Sequence, residues 1–181
     1  EDFRYRKFRE NFGDGYWWYS FFQVFLLQGV LMALVSAPLL GALYGSRPAS
    51  GEAPGELFWL DFVAAAVWLV GFVFEAGSDL QLARFKSKPE NQGKLVTHGF
   101  WRYTRHPNYF GDSAVWWGFG LFAIAAGQPW TVLGSVLMTL FIIKVSGVAL
   151  LEKSMSNQKP GYAEYAARTS AFLPWFPKER R

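Results

Sequence analysis

No cysteine occurs among the 181 residues. That excludes disulfides, thiol nucleophiles and cysteine-ligated metals. Histidine is nearly absent as well. With only His98 and His106, a zinc site lacks ligands. No G-x-G-x-x-G fingerprint follows a strand-like run, so a dinucleotide-binding α/β domain is unsupported. The apolar runs do not alternate with period two, which removes strands as their reading. The charged opening "EDFRYRKFREN" carries no apolar signal core and reads as the middle of a longer chain.

What the sequence has in abundance is apolar and aromatic residues, 51% and 19% of the chain. They gather in four blocks, residues 16–44, 57–76, 114–127 and 130–151. A helix of about 20 apolar residues crosses a bilayer. The first, second and fourth blocks qualify, and the third qualifies if "PNYFGDS" before it continues the helix. So many apolar blocks leave too little polar sequence to cover them in water. The expected fold class is all-α: a polytopic transmembrane helical bundle of about four spans, forming a single membrane domain over 1–181. Cytoplasmic loops and a short interfacial helix in "GYAEYAARTSAF" complete it, with Tyr162, Tyr165, Ala166 and Phe172 expected on the membrane surface.

The net charge of +4 matters less than where it falls. Arg4, Arg6, Lys7 and Arg9 precede the first block, and only Arg47 lies between the first and second. Arg84, Lys86, Lys88, Lys94, Arg102 and Arg105 lie between the second and third, and none between the third and fourth. Lys153, Lys159, Arg168, Lys178, Arg180 and Arg181 follow the fourth. The positive-inside rule places both termini and the 77–112 loop in the cytoplasm. Lys144 alone lies inside a span, where it snorkels or pairs within the bundle. Trp17, Trp18, Trp59, Trp130 and Trp175 sit near block ends, as interfacial anchors do. Membrane lipids are the expected surroundings, and no nucleic-acid partner is expected.

Polar chemistry concentrates in "WRYTRHPNYFGD", residues 101–112. Residue His106 precedes a proline and is pushed out of helix, while Pro107 suits a first helical turn. A helix therefore starts near Pro107. Asn108, Asp112 and Trp116 then share one face. Arg105 and His106 flank a helix N-terminus, whose amides favour an anion such as a phosphate. Gly111 permits close approach of another backbone or a ring. On the second block, Glu75 and Asp79 are four residues apart and share a face; Asp61 and Trp68 lie on nearly the same stripe. From spacing alone, a membrane-edge helix start with basic residues on lipid headgroups, and a pair of solvated helix-end carboxylates, remain open readings.

"GFWRYTRHPNYFGD" followed by "WWG" resembles the signature of the steroid 5-alpha-reductase-like membrane proteins. "EDFRYRKFRENFG", "QVFLLQG" and "KPGYAEYAARTSAFLPWFPK" resemble its bacterial branch, which implies an inner-membrane location. The resemblance implies a helical membrane oxidoreductase that uses NADPH. Its hydride passes to the β-carbon of an enone, and the substrate is a small hydrophobic molecule, a steroid or another enone lipid. Carried over by position, Asn108 and Asp112 match cofactor-contacting residues and Trp116 a cavity-lining aromatic. Asp79 and Glu75 match polar positions after the second helix, Lys86 stands near a cofactor arginine, and Glu152 pairs with a family histidine. Arg105, His106 and Tyr103 complete the candidate set. The resemblance also implies further N-terminal helices, carrying the substrate-polarising glutamine–glutamate pair and tyrosine, which have no counterpart here. The arginine-histidine-proline core also occurs in isoprenylcysteine carboxyl methyltransferases, so S-adenosylmethionine-dependent methyl transfer is the alternative. A non-catalytic membrane scaffold is the third reading.

Overall fold

The computed structural model describes residues 3–45, 57, 59–149, 151–152, 155 and 159–178. Arg47, Lys153, Arg180 and Arg181 lie outside these residues. Helix makes up 79% of the structure. Among the described residues there is no strand, only a lone parallel bridge between Thr104 and Ser170. The chain divides into two compact units, Glu1–Ser36 and Ala37–Arg181.

The first unit is one long helix, α1, Tyr5–Val35. It is not uniform. Gly13–Gly15 tighten into a 3₁₀ turn, and Phe21–Leu26 widen into a π-helical segment. Its charged first turns carry the cation of Arg9 over the Tyr16 ring, 5.0 Å from the centroid. Trp17 and Trp18 stand more than 70% exposed, as interfacial anchors require.

The expected first span of 16–44 is interrupted. Ser36 ends α1, and Ala37–Tyr44 forms a separate short helix, α2, in the second unit. The cause is in the sequence. Pro38 has no amide to donate and clashes with the turn before it, so it fits only the first turn of a new helix.

The second unit continues with α3, Trp59–Lys86, α4, Pro107–Ala125, and α5, Pro129–Val145. A final short helix, α6, spans Tyr162–Arg168. α1 and α3 are each long and apolar enough to cross a bilayer, and α5 is a shorter apolar helix. Among the described residues two helices therefore meet the length and composition of a span. α4 is long enough, but its first turns carry Asn108 and Asp112.

Packing in this unit is inverted relative to a water-soluble core. Its largest fully buried side chains are Thr104, Pro38, Pro107, Ser78 and Ser135. Phe62, Leu69, Val70, Phe72 and Val73 of α3 stay outside, between 47% and 65% exposed. In a lipid solvent, large apolar side chains gain nothing by leaving the tails, and helices associate through small residues and interhelical hydrogen bonds. The α3–α4 contact follows this rule. A Cβ on Gly71 would lie 2.6 Å from the Val115 amide nitrogen, and one on Gly118 would lie 2.7 Å from the Trp68 Cβ. A Cβ on Gly111 would strike the Glu75 backbone, so the close approach expected at Gly111 is to another helix. Between α4 and α5, Ser135 Oγ donates to the Trp116 carbonyl at 2.6 Å and Trp117 Nε1 to Thr139 Oγ1 at 3.0 Å. These are the packing rules of a membrane protein.

Candidate active site at the α3–α4 mouth

α4 begins at Pro107, as its sequence predicts. His106 holds φ −133° and ψ 61°, the non-helical backbone that a following proline enforces. The loop leading to it is tied to α3. Gln81 Nε2 donates to the His98 carbonyl at 2.9 Å, and Gln81 Oε1 accepts from the Phe100 amide at 3.2 Å. Trp101 Nε1 donates to the Ser78 carbonyl at 3.3 Å. On its other side the loop is tied to the C-terminal tail. The Arg105 amide donates to the Ser170 carbonyl at 2.9 Å, the Trp175 amide to the Tyr103 carbonyl at 2.9 Å, and Thr104 Oγ1 to the Phe172 carbonyl at 2.9 Å.

Two polar clusters result. In the first, Arg105 Nε and His106 Nε2 both meet Glu152 Oε1, at 2.9 and 2.8 Å. Arg105 Nη1 also donates to the Ala166 carbonyl at 2.6 Å. Burial pushes His106 below its ordinary value, outweighing the upward pull of Glu152. The ring is therefore neutral at pH 7. A carboxylate only accepts, so Nε2 carries the proton and donates. Burial alone raises Glu152, but the Tyr162 hydroxyl, the His106 hydrogen bond and the Arg105 charge together carry it below the usual carboxylate range. The Tyr162 hydroxyl is buried next to this carboxylate without closing a hydrogen bond, and burial plus Glu152 push its pKa far up, so it stays protonated.

The C-terminal helix differs from its expected role here. Tyr162 is 4% exposed, and the Tyr165 hydroxyl donates to the Trp101 carbonyl. Both rings that were expected on the membrane surface face the protein instead. The exposed apolar residues come later, at Leu173, Trp175 and Phe176.

The second cluster lies one turn into α4. Asn108 Nδ2 donates to Asp79 Oδ1 at 3.0 Å. Glu75 lies within electrostatic range of both Asp112 and Asp79, and the Trp116 indole N–H is directed at the Asp112 carboxylate. The structure thus brings Glu75, Asp79, Asn108, Asp112 and Trp116 together, and gathers Arg105, His106 and Glu152 separately. Lys86 is exposed at the end of α3. Tyr103 is 37% exposed and meets Phe176 edge-on, apart from both clusters. The buried Trp68 indole N–H, on the same stripe of α3 as Glu75, has no hydrogen-bond partner. Gln81 and Thr104 were not singled out by sequence reasoning, and Tyr162 was expected on the membrane surface rather than beside Glu152. Nothing in their spacing signals a role, because each acts on backbone or side chains far away in the chain. Among the described residues no group of acidic and histidine side chains is arranged to hold a metal ion.

The family described as "Protein of unknown function (DUF1295)" matches residues 1–169. The chain belongs to the DUF1295 family. That family is the steroid 5-alpha-reductase-like one. An uncharacterized protein of Schizosaccharomyces pombe is 25% identical over 96% of this chain and 55% of its own length. The mouse 3-oxo-5-alpha-steroid 4-dehydrogenase 1 is 33% identical over 43% of this chain and 28% of its own length. The probable O-methyltransferase ustE of Ustilaginoidea virens is 36% identical over 49% of this chain and 31% of its own length. The chain spans about half the length of the yeast relative and under a third of the other two. No solved structure matches.

Proposed function

We propose that this DUF1295 chain holds the nicotinamide cofactor of a membrane reductase, which reduces the C=C bond of an enone lipid or steroid-like substrate. The observation that carries this reading is the Asn108–Asp79 contact with Glu75 and Asp112 beside it. Four hydrogen-bonding side chains from two helices converge where α4 starts, inside the stretch that resembles the reductases. Kinship to 3-oxo-5-alpha-steroid 4-dehydrogenases supports the reaction class.

The residues fit NADPH in kind. An amide and three carboxylates suit ribose hydroxyls and a carboxamide, and the unpartnered Trp68 N–H adds a buried donor on the same stripe. The same carboxylates repel phosphates, so the phosphate end belongs with the cations of the loop, Lys86, Lys88 and Lys94. Arg105, His106 and Glu152 act as positioning residues, fixing the start of α4 against the C-terminal segment. When bound, NADPH supplies the hydride; the protein supplies placement and electrostatics. The distribution of cations favours a mouth, and both termini of this chain, in the cytoplasm.

The test is thermal stability of the detergent-purified chain with NADPH or NADP⁺. A ligand at 100 times its Kd stabilises by about 2.7 kcal/mol. Asn108→Ala and Asp112→Ala abolish that gain. No shift with a helical, monodisperse protein refutes the reading. The likeness to a probable O-methyltransferase favours a second reading, S-adenosylmethionine binding at the same mouth. A shift with that ligand and none with NADPH decides for it.

A further inference from the structure

A second concave surface, of about 620 Å³, lies where α6 and the C-terminal tail meet the loop before α4. Three of its lining residues are cations from three different segments: Arg102 of the loop, Arg168 at the end of α6 and Lys178 of the tail. One lining carboxylate, Glu164, stands against them. The backbone beneath is pinned. The Lys178 amide donates to the Arg168 carbonyl at 3.0 Å, and the Tyr165 hydroxyl to the Trp101 carbonyl. The cations are therefore carried on fixed backbone.

The rim of this cleft is apolar and faces outward. Phe176 lines it and is 75% exposed; Trp175 and Leu173 beside it are 72% and 64% exposed. Its height relative to the bilayer follows from α3. About 20 residues of helix cover the hydrocarbon thickness, which from Trp59 ends near Asp79. Phe100 packs on Gly77 and Trp101 bonds to Ser78. The tail joined to residues 103–105 therefore lies close to the lipid–water boundary.

We propose that the Arg102–Arg168–Lys178 cleft binds the phosphate headgroup of an anionic phospholipid, with Leu173, Trp175 and Phe176 entering the interfacial layer beside it. A soluble phosphate calls for the cations but not for an apolar rim. A zwitterionic headgroup leaves the excess positive charge of the cleft uncompensated, whereas an anionic one neutralises it. This site is separate from the acid–amide cluster and does not depend on the cofactor reading.

The purified, delipidated chain is incubated with phosphatidylglycerol or phosphatidylcholine of matched acyl chains, and retained lipid is counted by native mass spectrometry. Phosphatidylglycerol is retained in clear preference. Arg102→Gln, Arg168→Gln and Lys178→Gln each lower that preference by about fivefold. All three positions are exposed, so the variants fold. Arg84→Gln, in a separate groove lined by Gln81 and His98, leaves the preference unchanged. Three outcomes overturn the proposal. The cleft variants keep the preference, or the Arg84 variant loses it equally. In the third, inorganic phosphate or NADP⁺ displaces the lipid, which assigns the cleft to a soluble anion.

Discussion

The residues just before Pro107 and those just after it form opposite kinds of site. Arg105 and His106 turn back into the protein and spend their hydrogen bonds on Glu152 and the α6 backbone. Asn108 and Asp112 turn toward α3 and meet the acids Asp79 and Glu75, with like charges left close together. The first cluster is internally neutralised and structural in character. The second keeps excess negative charge and a contact at the surface, as a site awaiting a partner does. A stretch that looks uniformly functional is thus divided by the backbone turn at a proline.

The largest expected effect comes from the packing that holds the second cluster together. Gly111→Val drives a side chain into the Glu75 backbone and forces α3 and α4 apart. A loss of about 3 kcal/mol is expected, seen as a large fall in Tm in detergent and loss of any cofactor response. Glu152→Ala comes next. It strands Arg105, which is 12% exposed, beside a buried His106. Full burial of such a pair costs about 3–5 kcal/mol when one partner is removed. Glu152 is 26% exposed, so about 2 kcal/mol is expected after screening. An unchanged Tm erases the distinction drawn between the two clusters.

Acidification sharpens it further. His106 is held below its ordinary 6.5, so the unfolded chain takes up that proton first. Its contribution is complete above pH 6.5 and declines as the pH drops below it. Glu152 is held below its ordinary 4.5, so its contribution is present above that value and is lost as the pH falls through the folded one. Both act in the same direction. Tm falls on going from pH 7 to pH 4, and His106→Gln flattens the upper part of that slope. The smallest effect on stability belongs to the second cluster. Asp79→Asn disturbs one exposed hydrogen bond and costs about 0.5 kcal/mol or less, while removing the NADPH-induced shift. A large loss of stability instead makes Asp79 a structural residue.

The contrast between clusters also marks how far the sequence could be read. The start of α4 was legible, because a His-Pro step constrains backbone locally. The shared faces of Asn108 with Asp112 and of Glu75 with Asp79 were legible from helical spacing. The meeting of those two faces was carried by the family resemblance, and the Gly71–Gly111 contact supplies its physical cause. The break at Ser36 was signalled by Pro38 but hidden inside a continuous apolar run, which hydrophobicity alone cannot divide. Nothing local foretold that Glu152 would receive Arg105 and His106, since more than forty residues separate them. The burial of Tyr162 depends on the same long-range closure. An amphipathic pattern reports that one face is covered, without saying whether lipid or protein covers it.

The Gln81 side chain grips the turn before α4 on both sides, at the His98 carbonyl and the Phe100 amide. That turn is therefore an extension of α3 and travels with it as one piece. Upstream of it Gly93 adopts φ +78° with nothing close to its open side. The spacing of Asn108 and Asp112 from Glu75 and Asp79 is thereby held by the two packed helices and the Gln81 clasp together.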